Sequence, residues 1–391
     1  MGGSIKIKKV FQLFRDISFI LLDRLAVLGT HHHSQSFVFV RVDNIGDFVL
    51  WLTSAKLLIQ HYSIHGKPNL ICNQVCVDLA VAMGWFENVI GIDLKRFICD
   101  LHYRWVKLRK ISRFGFSVAI QPTFSRAFLV GDSLIRASLA KVRIGSIGDF
   151  SNIRPWQKSI SDRWFTKLVD ADPSAIMELY RNTEFLRNLG LADVRTEIPS
   201  IPKLSDLPQE KNISKDYFML FPGASSPFRQ WPTVFFSVVA NLIAEKYEWI
   251  PVVCGDQSQQ ELCTRVAEGV DRPSENFSGK TTLPELVEII RKARLVVTNE
   301  TSATHIAAGV NTPSVCILGG GHYGRFLPYP DNVKGLKPIP VIKKMNCFGC
   351  NWQCLFSQDR TRPYPCVKDV EVEQVMLAVN QALQLQHPKC A

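Results

Sequence analysis

Ser36-Phe-Val-Phe-Val-Arg-Val-Asp-Asn-Ile-Gly-Asp-Phe-Val-Leu-Trp51 is the stretch whose reading decides the fold. Residues 36–42 are almost all β-branched or aromatic, the pattern of a strand buried on both faces. Turn-forming residues interrupt it over 43–46. Residues 47–61 then resume with Val49, Leu50, Leu57 and Leu58 on one side of a helix. Strand, polar turn and amphipathic helix together make the opening of a parallel-sheet repeat.

The same alternation continues outward. Further strands are expected at 69–72, 89–92 and 117–121, with helical patterns between them. Over 191–215 the pattern lapses into a stretch bearing Pro, Asp and Ser, and a second series begins beyond it. Its strands are expected at 217–221, 250–254, 295–298 and 314–318, the last closing on Gly319-Gly320-Gly321, a flexible loop. Its helices are expected at 233–245, 283–293, 302–308 and 370–383, the second opened by Thr282 and Pro284 as cap and first-turn residue. The expected fold class is therefore α/β, with two doubly wound Rossmann-like domains facing a central cleft. The expected boundaries are an N-terminal segment 1–35, a first domain 36–195, a linker 196–215 and a second domain 216–391. A cleft between two such halves suits an enzyme that joins two substrates.

Composition fits this picture. Of 391 residues, 46% are hydrophobic and 21% charged, so each half can bury a core. The net charge of +11 favours polyanionic neighbours, such as an anionic membrane surface or phosphorylated glycans. No nucleic-acid-binding module accompanies the charge, so nucleic acid is not an expected partner. The 11 cysteines follow no secretory signal, and a reducing cytoplasm is the expected compartment. No charge-free apolar run reaches transmembrane length. Val10, Leu13, Phe14, Ile17 and Leu21 recur at helical spacing among Lys6, Lys8, Lys9 and Arg15. Such a helix can lie in an anionic membrane interface or pack its stripe on the protein. His31-His32-His33 reads as linker.

Three constellations carry chemistry. In the first, Gly46 permits a tight turn or a close approach, and Asp47 stands at a helix start that stabilises its anion. An ionised carboxylate there can accept the proton of a sugar hydroxyl, or it can merely cap the helix. In the second, Gly223, Ala224, Ser225 and Ser226 close a strand with small residues whose N–H and hydroxyl groups can cradle a phosphate. Arg229 follows as a planar cation suited to phosphate oxygens. In the third, Asn299, Glu300, Thr301 and Ser302 crowd a strand end and a helix start. Phosphate suits such a helix start, and Glu300 suits sugar hydroxyls. His305 either faces a ligand or sits satisfied in the core.

In this order and spacing, Arg41-Val42-Asp43-Asn44-Ile45-Gly46-Asp47, then Pro222-Gly223-Ala224 with Trp231-Pro232, then Thr298-Asn299-Glu300-Thr301 with His305-Ile306-Ala307-Ala308-Gly309 resemble glycosyltransferase family 9, the lipopolysaccharide heptosyltransferases. Pro313 and the Gly319-Gly320 strand exit complete the pattern. The resemblance implies a GT-B fold and inverting, metal-independent transfer of heptose from ADP-heptose to a lipopolysaccharide core or related glycan. It places Asp47 as the catalytic base and Arg41, Asp43, Asn44 and Gly46 on the acceptor side. Donor binding falls to Gly223, Ala224, Ser225, Ser226, Arg229, Asn299, Glu300, Thr301, Ser302, His305, Gly319 and Gly320. The implied partners are the nucleotide sugar and a lipid-linked anionic acceptor at the cytoplasmic face of the inner membrane, with no required cofactor. Two departures fall at donor contacts: the family usually has Lys where Arg229 stands, and Asp-Thr-Gly where Glu300-Thr301-Ser302 stand.

Cys347, Cys350, Cys354 and Cys366 begin as a C-x-x-C pair, and four thiolates suit structural zinc, although the later spacings are not those of a familiar finger. Loop packing is the other reading. Two other function classes stay open on the residues: a sugar-nucleotide epimerase, which needs no acceptor, and a non-catalytic sugar- or membrane-binding protein.

Overall fold

The computed structural model describes residues 15–30, 36–62, 66–174, 176–205, 207 and 213–386. The chain divides into two compact units: one of 1–44, 55–174 and 181–194, the other of 45–54, 175–180 and 195–391. The first unit holds six parallel strands: β1 (Phe37–Arg41), β2 (Asn69–Asn73), β3 (Val89–Ile92), β4 (Val118–Gln121), β5 (Val142–Ser146) and β6 (Lys167–Val169). The second holds β7 (Tyr217–Phe221), β8 (Ile250–Val253), β9 (Glu275–Asn276), β10 (Leu295–Asn299), β11 (Ser314–Ile317) and β12 (Ile339–Val341).

The spatial orders are β3-β2-β1-β4-β5-β6 and β12-β11-β10-β7-β8-β9. Counted from the first strand of each sheet, both are the doubly wound order 3-2-1-4-5-6. All five residues of β1, β7 and β10 are buried, as strands with both faces covered require. The Rossmann-like α/β architecture expected from the sequence is the one observed. In such sheets the chain leaves β1 and β4, or β7 and β10, in opposite directions, and the gap at their carboxyl ends is where ligands bind.

Local chemistry explains most element boundaries. Thr282 caps the helix Leu283–Lys292 and Glu285 returns the bond, a full capping box. Asp100 caps the helix Leu101–Ser112 through the Tyr103 N–H at 2.9 Å. The helix after β1 spans Ile45–His61, beginning two residues before the expected 47, because extended Asn44 already takes the N-cap position. Gly46 therefore lies inside the first turn rather than in a loop. The expected strands 36–42 and 117–121 shorten to β1 and β4, and β5 and β6 were not anticipated. Gly320–His322 is a helical turn, not a flexible loop.

Helical residues 15–26 bury two acids beside Phe19 and Ala26 and leave a leucine-rich stripe outside. Asp16 and Asp23 are buried, while Ile17, Leu21, Leu25 and nearby Leu28 are exposed. Asp23 grips the fully buried Arg104 with two bonds of 2.6 Å, and Asp16 accepts from Gln157 at 2.8 Å. Arg104 also donates to the Phe97 and Leu129 carbonyls and to Ser133, so this buried charge is well satisfied. Of the expected apolar stripe, Ile17 and Leu21 thus face outward; Val10, Leu13 and Phe14, with Lys6, Lys8 and Lys9, lie outside the described residues, as does His31-His32-His33.

Candidate active site

At the carboxyl ends of β7 and β10 the second and third sequence constellations meet. Asn299 ends β10, and its amide nitrogen donates to the Pro222 and Gly223 carbonyls at 2.7 and 3.3 Å. Its oxygen accepts from the Trp231 backbone N–H at 3.1 Å. The amide is used up inside the protein, so Asn299 braces the two loops, where a direct donor contact was expected. A Cβ on Gly223 would stand 2.2 Å from the end of the Gln259 side chain, which would have to shift to admit it.

Arg229 ends the short turn Pro227–Arg229 and faces three groups. It donates to the Ser225 hydroxyl at 2.9 Å and pairs with Glu300 Oε2 at 3.0 Å. Its guanidinium stacks 4.9 Å from the Trp352 ring centre. Glu300 is 7% exposed. Burial pushes its carboxyl up, against the pull of Arg229 and Arg325. Ser225 is exposed, Ser226, Thr301 and Ser302 are half-buried, and Ala224 is buried. Thr301 and Thr298 join hydroxyls at 3.0 Å, and Ser302–Gly309 forms the following helix. The arrangement presents hydroxyls and one guanidinium at a strand switch, a setting for phosphate oxygens.

Gly319, Gly320 and Gly321 lie under aromatic rings. Added Cβ atoms would approach Trp352 at 2.5 Å, Phe348 at 2.4 Å and Trp352 at 2.3 Å. The glycine run therefore seats the 345–366 segment against the sheet. His322 stacks edge-on against Trp352, and burial followed by Arg229 takes its pKa down to about 4.

The turn carrying Asp47 packs within the same unit. Asn44 makes no side-chain cap bond, and Asp47 is the acid of the first turn, where the helix dipole favours a carboxylate. A Cβ on Gly46 would lie 3.3 Å from His305 Cδ2 and 3.8 Å from Ser302 Cα. Leu50, one turn on, packs in a cluster with Met177, Leu179, Ala308 and Tyr329. His305 Nδ1 lies 2.9 Å from the Tyr329 hydroxyl, and burial takes the imidazole down to about 4. His305 is thus both a core histidine and a neighbour of the helix start.

In the first unit, the ends of β1 and β4 bring Arg41, Asp43 and Thr123 together. Arg41 Nε stands 2.9 Å from Asp43 Oδ2, which also accepts from the Thr123 hydroxyl at 2.9 Å. Asp43 keeps 26% of its side chain exposed, whereas Arg41 is 1% exposed.

The ten described cysteines are free. Among the described residues no group of three or more His, Cys, Asp or Glu is arranged to hold a metal ion, and this includes Cys347, Cys350, Cys354 and Cys366. Cys366 is buried and its sulfur accepts from the Gly320 N–H at 3.5 Å. The geometry gives this cysteine the loop-packing role and does not support the zinc expectation. Among the described residues, no helix is long and apolar enough to cross a membrane.

Trp352, Tyr329, Arg325 and Gln259 line this region without having been singled out in the sequence. Arg229 and Glu300 are 71 positions apart, and His305 and Tyr329 are 24 apart; no periodicity links such pairs.

Comparison with known proteins agrees with the motifs. Residues 179–354 match the model of glycosyltransferase family 9 (heptosyltransferase). Lipopolysaccharide heptosyltransferase 3 of Escherichia coli (strain K12) is 26% identical over 208 residues, covering 51% of this chain and 58% of that protein. The chain thus spans little more than half the length of this curated relative. A family 9 glycosyltransferase structure from Veillonella parvula superposes with a TM-score of 0.66 at 16% identity, covering 90% of this chain and 98% of the other. Escherichia coli heptosyltransferase WaaC with ADP-2-deoxy-2-fluoro heptose gives 0.64 at 16% identity, over 90% and 99%. At these identities the superpositions establish the fold, which is GT-B, with two Rossmann-like domains. Over residues 179–354, the chain is similar to glycosyltransferase family 9 (heptosyltransferase).

Proposed function

We propose that the protein is an inverting glycosyltransferase that moves a heptose from ADP-heptose to a hydroxyl of a lipopolysaccharide core or related surface glycan, without a metal. The observation that carries this reading is the Arg229–Glu300–Ser225 constellation at the β7/β10 switch, within the matched segment. In the reaction, Asp47 accepts the proton of the acceptor hydroxyl as its oxygen attacks the anomeric carbon. The bond to the β-phosphate oxygen breaks and ADP departs. Charge gathering on the diphosphate is met by Arg229 and by hydroxyls such as Ser225. Glu300 holds the guanidinium in place, and its longer side chain and Arg229 replace the usual Asp and Lys of the family together. Arg41, Asp43 and Asn44 serve the acceptor side, and Thr301, Ser302 and His305 serve the donor.

The exposed stripe Ile17, Leu21, Leu25 and Leu28 supports a peripheral site on the anionic cytoplasmic face of the inner membrane, where a lipid-linked acceptor resides. A thermal-shift series with ADP-, UDP- and GDP-sugars tests the donor. Binding of the native state alone raises the melting temperature, by mass action. Selective stabilisation by ADP-heptose is expected; a response to UDP- or GDP-sugars alone would refute the assignment.

A further inference from the structure

His305 is 5% exposed and Tyr329 3% exposed, with their rings stacked at 5.9 Å and 6°. Tyr329 Oη meets His305 Nδ1 at 2.9 Å, and among the described residues the hydroxyl makes no other hydrogen bond. A buried O–H left undonated is costly, so this hydroxyl donates to Nδ1. Burial lowers the imidazole to about 4, keeping it neutral near pH 7. A neutral ring whose Nδ1 accepts carries its proton on Nε2.

Nε2 has no protein partner among the described residues and points toward the first turn of Ile45–His61. A Cβ on Gly46 would lie 4.0 Å from it. Asn44 provides no side-chain cap there, and Asp47 occupies the same turn. An N–H donor on an almost fully buried ring is therefore aimed at a helix start beside the proposed base. A side chain on Gly46 would crowd this edge, which accounts for the glycine.

We propose that Tyr329 is a positioning residue that fixes His305 as its Nε2–H tautomer, and that this N–H donates to an oxygen of the sugar nucleotide beside Gly46. The inference rests on the glycosyltransferase reading for the ligand alone; the tautomer follows from the protein. With its proton on Nε2, His305 cannot act as a base through that atom. Proton acceptance stays with Asp47.

Long-range proton–nitrogen correlation spectra of the full chain carrying nitrogen-15 histidine test the tautomer directly. The wild type is expected to show His305 protonated on Nε2 alone from pH 7 to pH 5. Tyr329→Phe is expected to show a mixture of both tautomers and a donor KM raised about tenfold, the loss of one well-placed hydrogen bond. Addition of ADP alone shifting Nε2 assigns the oxygen to the ADP moiety; a shift with ADP-heptose only assigns it to the heptose. Should Tyr329→Phe fail to fold, His305→Gln, which retains an N–H donor, is expected to keep more donor affinity than His305→Leu. An Nδ1–H ring, ordinary titration near pH 6.5 or an unchanged tautomer in Tyr329→Phe overturns the lock. Silence of Nε2 toward both nucleotides overturns the donor contact. A correct tautomer in a protein that transfers no sugar would sink the function and leave the lock standing.

Discussion

The carboxyl ends of β1 and β4 and those of β7 and β10 occupy equivalent places in two sheets of the same strand order. They are furnished differently. At the first, Asp43 remains partly in solvent while paired to Arg41 and Thr123. At the second, Glu300 is buried beneath Arg229, and Asn299 ties the two loops together through three hydrogen bonds. Topology fixes where a ligand can sit; the loops decide which ligand and how rigidly it is held. The family match, residues 179–354, takes in the rigid site and leaves the first sheet's outside.

The largest expected effect breaks the comparison at the proton acceptor. Asp47→Asn should lower transfer about a thousandfold while nucleotide affinity persists, because general-base catalysis contributes on the order of 10²–10⁴. Steady-state kinetics alongside calorimetric titration with ADP-heptose would check both halves. Near-normal turnover would remove Asp47 from the mechanism.

Next comes the buried pair. Arg229→Met leaves Glu300 buried without its main partner and should cost about 3 kcal/mol in urea unfolding. The double variant Arg229→Lys with Glu300→Asp, which restores the family's usual pair, should recover most of that loss. Asp43→Asn in the first unit should cost less than Arg229→Met, because solvent screens the 26% exposed Asp43 carboxylate and the amide oxygen can still accept from Arg41. Equal losses at the two pairs would erase the distinction between rigid and open sites.

A smaller effect is visible only in acid. His305 titrates near 6.5 when unfolded and about 4 when folded, so the unfolded chain binds the extra proton between these values. Stability held above pH 6.5 is therefore lost as pH falls toward 4, by about 3 kcal/mol at most. His305→Gln should flatten this limb of the pH–stability curve. Two curves that fall in parallel would place the acid sensitivity elsewhere, with half-buried His322 the next candidate.

The smallest stability effect belongs to the outward helix face. Leu21→Ser with Leu25→Ser should change unfolding by less than about 0.5 kcal/mol, as exposed substitutions do. The same variant should lose sedimentation with anionic vesicles. Retained binding to anionic vesicles would separate this stripe from any membrane role.

Much of the fold was legible because β1, β7 and β10 are short apolar runs with turn formers at their ends. Thr282 and Pro284 announced a helix start for the same local reason. β5 and β6 were missed because charged residues such as Arg143 and Lys167 interrupt their apolar pattern. The helix start moved to Ile45 because extended Asn44 takes the cap position without any side-chain bond to reveal it. At the site, Arg229 and Glu300 were legible one at a time, but their pairing was not. Trp352 and Tyr329 gave no local signal: each is defined by what folding brings beside it, a guanidinium and an imidazole.

Product analysis tests the central claim most directly. The purified full chain would be incubated with ADP-heptose and a lipopolysaccharide core acceptor lacking its terminal heptose, followed by mass spectrometry of the glycan and assay of ADP. The expected result is one added heptose per acceptor, ADP released in equal amount, and no nucleotide consumption when the acceptor is omitted. Release or isomerisation of the sugar without acceptor, or an unmodified glycan beside intact ADP-heptose, would contradict it.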